Sequence, residues 1–363
     1  MIFRKKNILL VSPEPWDHIF VSKHHYATHL GKRGNHVFFL NPPSESESIT
    51  QTGYKNVSSV TYLGFPKGLR FFPSIVQKYF IRKKFFELQK FCNVQFDVVW
   101  SFDNSVFFDL SALPQRVLKI SHIVDLKQDF QTAKAASTAS VCLCTTDLLK
   151  ERLSAFNSRV FKINHGLNEC VVQKRPISLP GHSSIKALYA GNMAMRFIDW
   201  ELLRVAVESN PTVDFIFVGP DSIDDANIDD HGKNELMKSD NSFFIGKVES
   251  GELPSWYEAS DILLVAYQER YHADQSNPHK MMEYLGSGKM IVATYMAEYK
   301  MLADETLFLM SNHNAEFPLL LKEAVRDLTL WNDWTKQEAR IAYALENTYF
   351  KQIERIEAIT EDL

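Results

Sequence analysis

Apolar residues in this chain fall into short continuous runs, separated by stretches where they recur every three or four positions. The runs are Asn7–Ser12, His36–Leu40, Asp97–Trp100, Val117–Ile120 and Val141–Cys144, with a shorter one at Arg159–Ile163. In the second half they are Ile185–Ala190, Asp214–Val218, Ser242–Gly246 and Asp261–Ala266. Runs of this length read as strands covered on both faces. Helical spacing occupies Lys23–Lys32, Asp147–Phe156, Trp200–Ser209, Leu253–Ala259 and Thr335–Ile359, the last through Ile341, Leu345, Tyr349, Ile353 and Ile356. Strands that alternate with helices predict an α/β fold with doubly wound parallel sheets. The alternation stops at His165–Ser184, where Pro176, Pro180 and Gly181 cluster, and then restarts. The expected organisation is therefore an amino-terminal domain over 1–168, a linker over 169–184 and a second domain over 185–340. A terminal helix over 341–363 is expected to pack back on the first domain. Two such domains predict a ligand cleft at the carboxyl ends of both sheets.

Composition narrows the class. Four cysteines (Cys92, Cys142, Cys144, Cys170) show no C-x-x-C pair, which predicts reduced thiols in a cytoplasmic protein. No stretch approaches the ~20 apolar residues of a membrane span. The formal net charge of −4 conceals a division: residues 1–168 hold 22 Lys and Arg against 12 Asp and Glu, and the rest of the chain is acidic. Much of the positive excess lies in 67–90, where Lys67, Arg70, Lys78, Arg82, Lys83, Lys84 and Lys90 face only Glu87 and alternate with Phe and Tyr. Such a segment reads either as a peripheral anchor on an anionic membrane, here the inner face of the cell membrane, or as a surface helix whose aromatics enter the core. No nucleic-acid motif accompanies it.

The most informative stretch is Asn277–Thr294, N-P-H-K-M-M-E-Y-L-G-S-G-K-M-I-V-A-T. It joins a polar loop, a helix start just after Pro278, a Gly-x-Gly stop and a strand. Free backbone N–H groups at a helix start, with the dipole behind them, attract an anion. Lys280 stands where a phosphate would lie, and Glu283, one turn on, can accept two ribose hydroxyls. The string resembles the donor-binding signature of nucleotide-sugar glycosyltransferases with the two-domain GT-B fold, often written P-x-K-x-x-E-Y-L-A-x-G-x-P-V-V-A-T. Ser101–Asn104, His122–Asp125, Asn164–Asn168, Tyr189–Asn192, Phe217–Pro220 and Phe244–Gly246 follow the order of the same family. The nearest likeness is to family-4-like enzymes of teichuronic-acid type, and more loosely to xanthan glucuronosyltransferases.

The resemblance implies a site. Gly191, Asn192, Arg196, Gly246, Val248, Asn277, His279, Lys280 and Glu283 would hold the donor, with Gly191 admitting the diphosphate and Arg196 offering a fork of donors to it. Asp125 would act as general base on the acceptor hydroxyl or orient it, and His122 would donate to the sugar or phosphate. His24 and His25 would contact the acceptor. Two departures stand out: Phe197-Ile198-Asp199 replaces a following lysine, and Gln275 occupies the place of a second glutamate. No Asp-x-Asp falls in the pattern, while Asp224-Asp225 and Asp229-Asp230 lie in a polar loop, so transfer is expected without a bound metal and without a cofactor beyond the donor, UDP-linked more than GDP-linked. The implied function is transfer of a hexosyl or glycuronosyl group to a glycan or polyprenyl-linked acceptor in bacterial surface polysaccharide synthesis. The alternatives are a nucleotide-sugar 2-epimerase and a non-catalytic nucleotide-sugar-binding protein. A dehydrogenase is disfavoured, because no G-x-G-x-x-G follows either domain's first strand.

Overall fold

The computed structural model describes residues 3–126, 130–168, 176–221, 231–305 and 307–361. The chain divides into two compact units, Met1–Gly166 with Tyr349–Leu363, and Leu167–Thr348. The Asp224-Asp225 and Asp229-Asp230 pairs and residues 169–175 of the 169–184 segment lie outside the described residues.

The first unit contains β1 (Asn7–Val11), α1 (Ser22–Lys32), β2 (His36–Leu40), β3 (Ser48–Gln51), β4 (Val57–Thr61), α2 (Ser74–Phe91) and β5 (Val98–Ser101). It continues through β6 (Leu118–Ile123), α3 (Thr132–Thr138), β7 (Val141–Cys144), α4 (Asp147–Ser154) and β8 (Val160–Lys162). The strand order is β3-β4-β2-β1-β5-β6-β7-β8. All neighbours run parallel except β3, which pairs antiparallel with β4 at the edge. Parallel strands buried on both faces need apolar runs, and Ile8–Val11 and Val98–Trp100 are covered completely. Ser48–Gln51 is exposed at every position, as a short polar edge strand should be.

The second unit contains β9 (Ile185–Ala190), α5 (Trp200–Glu208), β10 (Val213–Val218), α6 (His231–Leu236), β11 (Ser242–Gly246), α7 (Leu253–Ala259), β12 (Ile262–Val265) and α8 (Lys280–Ser287). Then come β13 (Met290–Ala293), α9 (Lys300–Asp304), β14 (Leu309–Met310), α10 (Phe317–Arg326), α11 (Leu328–Trp331) and α12 (Trp334–Glu346). Its sheet is parallel throughout, ordered β11-β10-β9-β12-β13-β14. Asp199 starts α5 by accepting the Leu202 N–H at 3.0 Å. The buried guanidinium of Arg340 in α12 donates to the carbonyls of Leu307 (2.6 Å), Gly288 (2.8 Å) and Trp331 (2.6 Å), closing the ends of three segments at once.

The single terminal helix expected over Thr335–Ile359 is two helices. The chain leaves α12 at Asn347 and re-enters a helix as α13 (Tyr349–Thr360). Apolar spacing runs through the break because each helix buries its own stripe, Ala344 in the second unit and Tyr349, Ile353 and Ile356 in the first. The Glu357 carboxylate of α13 takes the Arg33 guanidinium at 2.5 Å and the Phe3 N–H at 2.9 Å, which fastens α13 to α1.

Candidate functional site

In the second unit the winding direction of the sheet reverses between β9 and β12. Loops leaving these two strands depart to opposite faces and leave a crevice at their carboxyl ends. The loops after β9 and β10 lie almost in contact. Gly191 N–H donates to the Val218 carbonyl at 2.9 Å, and Gly219 N–H donates to the Gly246 carbonyl at 2.9 Å. A Cβ built on Gly219 would stand 1.8 Å from the Gly191 carbonyl oxygen, and one on Gly191 would stand 2.9 Å from Lys280 Nζ. Both glycines hold positive φ, 153° at Gly191 and 148° at Gly219. Space for a ligand against Gly191 thus depends on the missing side chain.

Helix α8 opens onto this place. Lys280 is its first residue, and the ammonium sits 3.8 Å from the ring centre of Tyr189, the residue before the end of β9. Tyr267, just past β12, is 5.6 Å away. The aromatic faces attract the cation, yet burial pushes its pKa down to about 7, with Glu283 opposing the shift. For Glu283, one turn further, burial acts in the opposite sense and raises the pKa, and the Tyr257 hydroxyl donating to it at 2.7 Å works against that rise. The Tyr284 hydroxyl accepts the Ala190 N–H at 2.9 Å, which pins α8 to the end of β9. The helix start is less open than expected: the Met281 and Met282 N–H groups are taken by the carbonyls of Pro278 and His279. Anion attraction here therefore rests on the Lys280 ammonium and the helix dipole.

The other implied donor residues are placed as follows. Asn192 Oδ1 accepts the Ala194 N–H at 3.0 Å, shaping the turn after Gly191. Arg196 is exposed, its guanidinium carbon 5.8 Å from the Tyr271 ring centre. Gly246 closes β11, and Val248 packs half-buried against the core around α8. Asn277 Oδ1 accepts from the Tyr299 hydroxyl at 2.9 Å, and His279 immediately precedes α8. Four tyrosines that were not named as donor residues, Tyr189, Tyr257, Tyr267 and Tyr284, form the wall around Lys280 and Glu283. Tyr189 and Tyr284 carried a signal, the one in the Tyr189–Asn192 string and the other directly after Glu283 in the signature; Tyr257 is distant in sequence from the carboxylate that it contacts.

The first unit treats its candidates differently. His24 is fully buried between the rings of Phe20 and Phe39, each 4.9 Å away. Its Nδ1 accepts the Val21 N–H at 3.3 Å and its Nε2 lies 3.1 Å from the Pro15 carbonyl. Both ring nitrogens are committed, so His24 builds the loop after β1 and has no polar atom left for an acceptor. His25 is half-buried and stacks on Tyr349 at 4.8 Å. His122, inside β6, is also sealed: its ring stacks on Phe102 at 4.6 Å, and Trp100 Nε1 donates to its Nδ1 at 3.3 Å. The neutral ring then carries its proton on Nε2, which is buried without an acceptor among the described residues. Burial pushes this imidazole down to about 3, so it is uncharged at neutral pH. Asp125 is exposed in the loop after β6.

No family profile matches the chain. Over 160 residues it is 24% identical to a protein of Bacillus subtilis (strain 168), TuaH, whose name assigns it provisionally to teichuronic acid biosynthesis as a glycosyltransferase. That match covers 42% of this chain and 39% of the relative, so the chain spans about two-fifths of the curated relative's length. Among solved structures, sucrose-phosphate synthase of Thermosynechococcus elongatus superposes with a TM-score of 0.71 at 12% identity, covering 98% of both chains. HepE of Anabaena, in complex with UDP and glucose, gives 0.68 at 11% identity over 99% of this chain and 100% of its own. The fold is GT-B. At these identities the likeness is one of fold. Within a GT-B frame the crevice beside Gly191 lies in the second of the two parallel α/β units.

Proposed function

We propose that this chain is a glycosyltransferase that takes a sugar from a nucleotide-diphosphate sugar, with UDP preferred as carrier. The observation that carries the reading is the half-buried Lys280 ammonium beside side-chain-free Gly191, with Glu283 one turn further on the same helix. A diphosphate at Gly191 would meet Lys280, and a ribose would meet Glu283. The GT-B fold and the teichuronic-acid relative support the class, and the UDP in the HepE complex supports the base. In this reading the anomeric carbon–oxygen bond to the diphosphate breaks as an acceptor hydroxyl attacks. Lys280 and Arg196 balance the departing charge, without a divalent ion. Asp125 takes the acceptor's proton or orients the hydroxyl. The transferred group is hexosyl or glycuronosyl. The acceptor is a glycan or polyprenyl-linked sugar of a surface polysaccharide, at the inner face of the cell membrane.

The test is a thermal-shift screen of UDP, GDP and their sugars on the native chain and on Glu283→Ala. The reading expects a UDP-selective stabilisation that the variant loses, and donor hydrolysis or transfer that persists in EDTA. No shift with any nucleotide would remove it.

A further inference from the structure

Among the described residues, no helix is long and apolar enough to cross a membrane. The first unit nevertheless shows water a set of large apolar side chains in one place. Phe71 is 77% exposed, Ile75 80%, Tyr79 61% and Phe130 61%. Phe72 and Phe86 add to them. Ile75, Tyr79, Arg82 and Phe86 succeed one another at helical spacing along α2, while its opposite face, Gln77, Ile81, Phe85 and Leu88, is buried in the unit's core. Helix α2 is thus apolar twice, inward and outward. Lys78 and Arg82 flank the outward stripe on one side, Lys83 and Lys90 on the other. The segment's single carboxylate, Glu87, is engaged by Lys84 at 2.9 Å and by Lys83 at 3.8 Å.

The aromatic tip is held outward by buried polar groups. Gln77, 5% exposed, donates to the carbonyls of both Arg70 and Phe72, each at 2.9 Å, and so grips the turn on either side of Phe71. Lys134 donates to the Gln77 side-chain oxygen and pairs at 3.2 Å with the fully buried Asp109. Arg70 lies between the rings of Phe71 (4.7 Å) and Phe130 (5.4 Å). A pocket of about 360 Å³ lined by Phe65, Leu69, Arg70, Phe71, Val106 and Phe108 opens at this turn, and Phe71, on its wall, keeps most of its ring in water. Burying such rings is favourable, and a cluster of them held outward beside fixed cations marks a surface that a covering medium would complete.

We propose that Phe71, Phe72, Ile75, Tyr79 and Phe130 form a pre-organised wedge that enters the interface of an anionic lipid bilayer, with Lys67, Arg70, Lys78, Arg82 and Lys83 on the headgroups. The wedge side chains supply the apolar half of the interaction and the collar the anionic selectivity. A second copy is disfavoured as the cover, since face-to-face pairing would set one cationic collar against another. The inference deepens the membrane element of the reading above. Its test contains no sugar nucleotide, so either can fail while the other stands.

The experiment is flotation of the full chain with vesicles of phosphatidylcholine alone and with roughly one-third phosphatidylglycerol, at low and high salt. The native chain is expected on the anionic vesicles only, released by salt. Phe71→Ser with Ile75→Ser is expected to weaken partitioning at least tenfold, and Lys78→Ala and Arg82→Ala about fivefold each. Gln77→Leu, which frees the turn but keeps every exposed group, should weaken it severalfold. Leu319→Ser, an exposed apolar position of the second unit, should not change it. Should the serine pair prove unstable, Ile75→Ser alone gives the same sign. Equal binding to neutral vesicles, no binding at all, or unchanged binding by the serine variants would overturn the inference. So would a serine variant that lowers the free protein's sedimentation mass, because a second copy would then cover the patch.

Discussion

At the carboxyl edge of the second sheet a lysine and a glutamate stand half-exposed at the start of α8, each opposed in its charged state by burial and walled by tyrosines. Near the corresponding edge of the first sheet, His24 and His122 are closed among aromatic rings and meet the protein's own groups. His24 stands in the first turn of a helix just as Lys280 and Glu283 do, so the element that bears a side chain does not separate the two places. What separates them is the neighbours. The rings of Phe20, Phe39, Phe102 and Trp100 close over the two imidazoles, and the Val21 N–H, the Pro15 carbonyl and the Trp100 N–H meet their polar atoms. Lys280 is walled by tyrosines, but on the side of Gly191 no side chain stands against its ammonium. Proximity to a sheet edge therefore identifies a neighbourhood, and the side chains that surround a residue decide its use.

The comparison breaks most sharply at Glu283. Glu283→Ala is expected to weaken UDP binding by about a hundredfold, the scale of losing a charged hydrogen-bonding partner for two hydroxyls, as titration calorimetry would read. Unchanged affinity would put the nucleotide elsewhere. Acidity sharpens the comparison next. Empty, the site holds Lys280 near 7; a bound diphosphate raises it again, so above that pH the complex carries more protons than the free chain. Affinity for UDP must then fall as pH rises from 7 to 9, by up to about tenfold per unit, and Lys280→Met should flatten the profile. A flat profile in the native chain would contradict the placement of the ammonium. In the first unit, His24→Ala should lower stability by about 2 kcal/mol through two lost hydrogen bonds and ring packing, and leave UDP affinity unchanged. The smallest effect is expected at His122→Leu. One orphaned N–H is removed and another, on Trp100, is created, so denaturant unfolding should change by less than about 1 kcal/mol. Loss of transfer activity by that variant with stability intact would return His122 to the chemistry.

How much the chain disclosed follows from the same physics. Buried parallel strands are mostly apolar, so β2, β7 and β9 are legible at their observed bounds, and so is β11, whose apolar centre survives at the half-buried sheet edge. The edge pair β3 and β4 is not, because Ser48–Gln51 and Val57–Thr61 are rich in Ser and Thr and read as loop. Helix α3, Thr132–Thr138, presents only Ala, Ser, Thr and Lys, with no apolar stripe to mark its period. Lys280 and Glu283 were legible because a local string holds both; the hydroxyl of Tyr257 was not, since only folding brings α7 to α8. The break at Asn347 was hidden for another reason: two helices that bury stripes in different units can keep one spacing across their junction.

That junction has a consequence in time. Ribosomes deliver β1 to β8 first, yet the helix that covers Phe3, Tyr26 and Trp100 in the same core, α13, emerges only after the whole of Leu167–Thr348. The second unit is one unbroken stretch of chain and has everything it needs as soon as it leaves the tunnel, whereas the older unit must wait, its α1 face open, for Tyr349, Ile353 and Ile356. During synthesis the amino-terminal half is therefore the later to finish and the more exposed to chaperones and proteases. A nonsense codon just before Tyr349 would leave the second unit with all of its chain while the first loses the helix that closes its core.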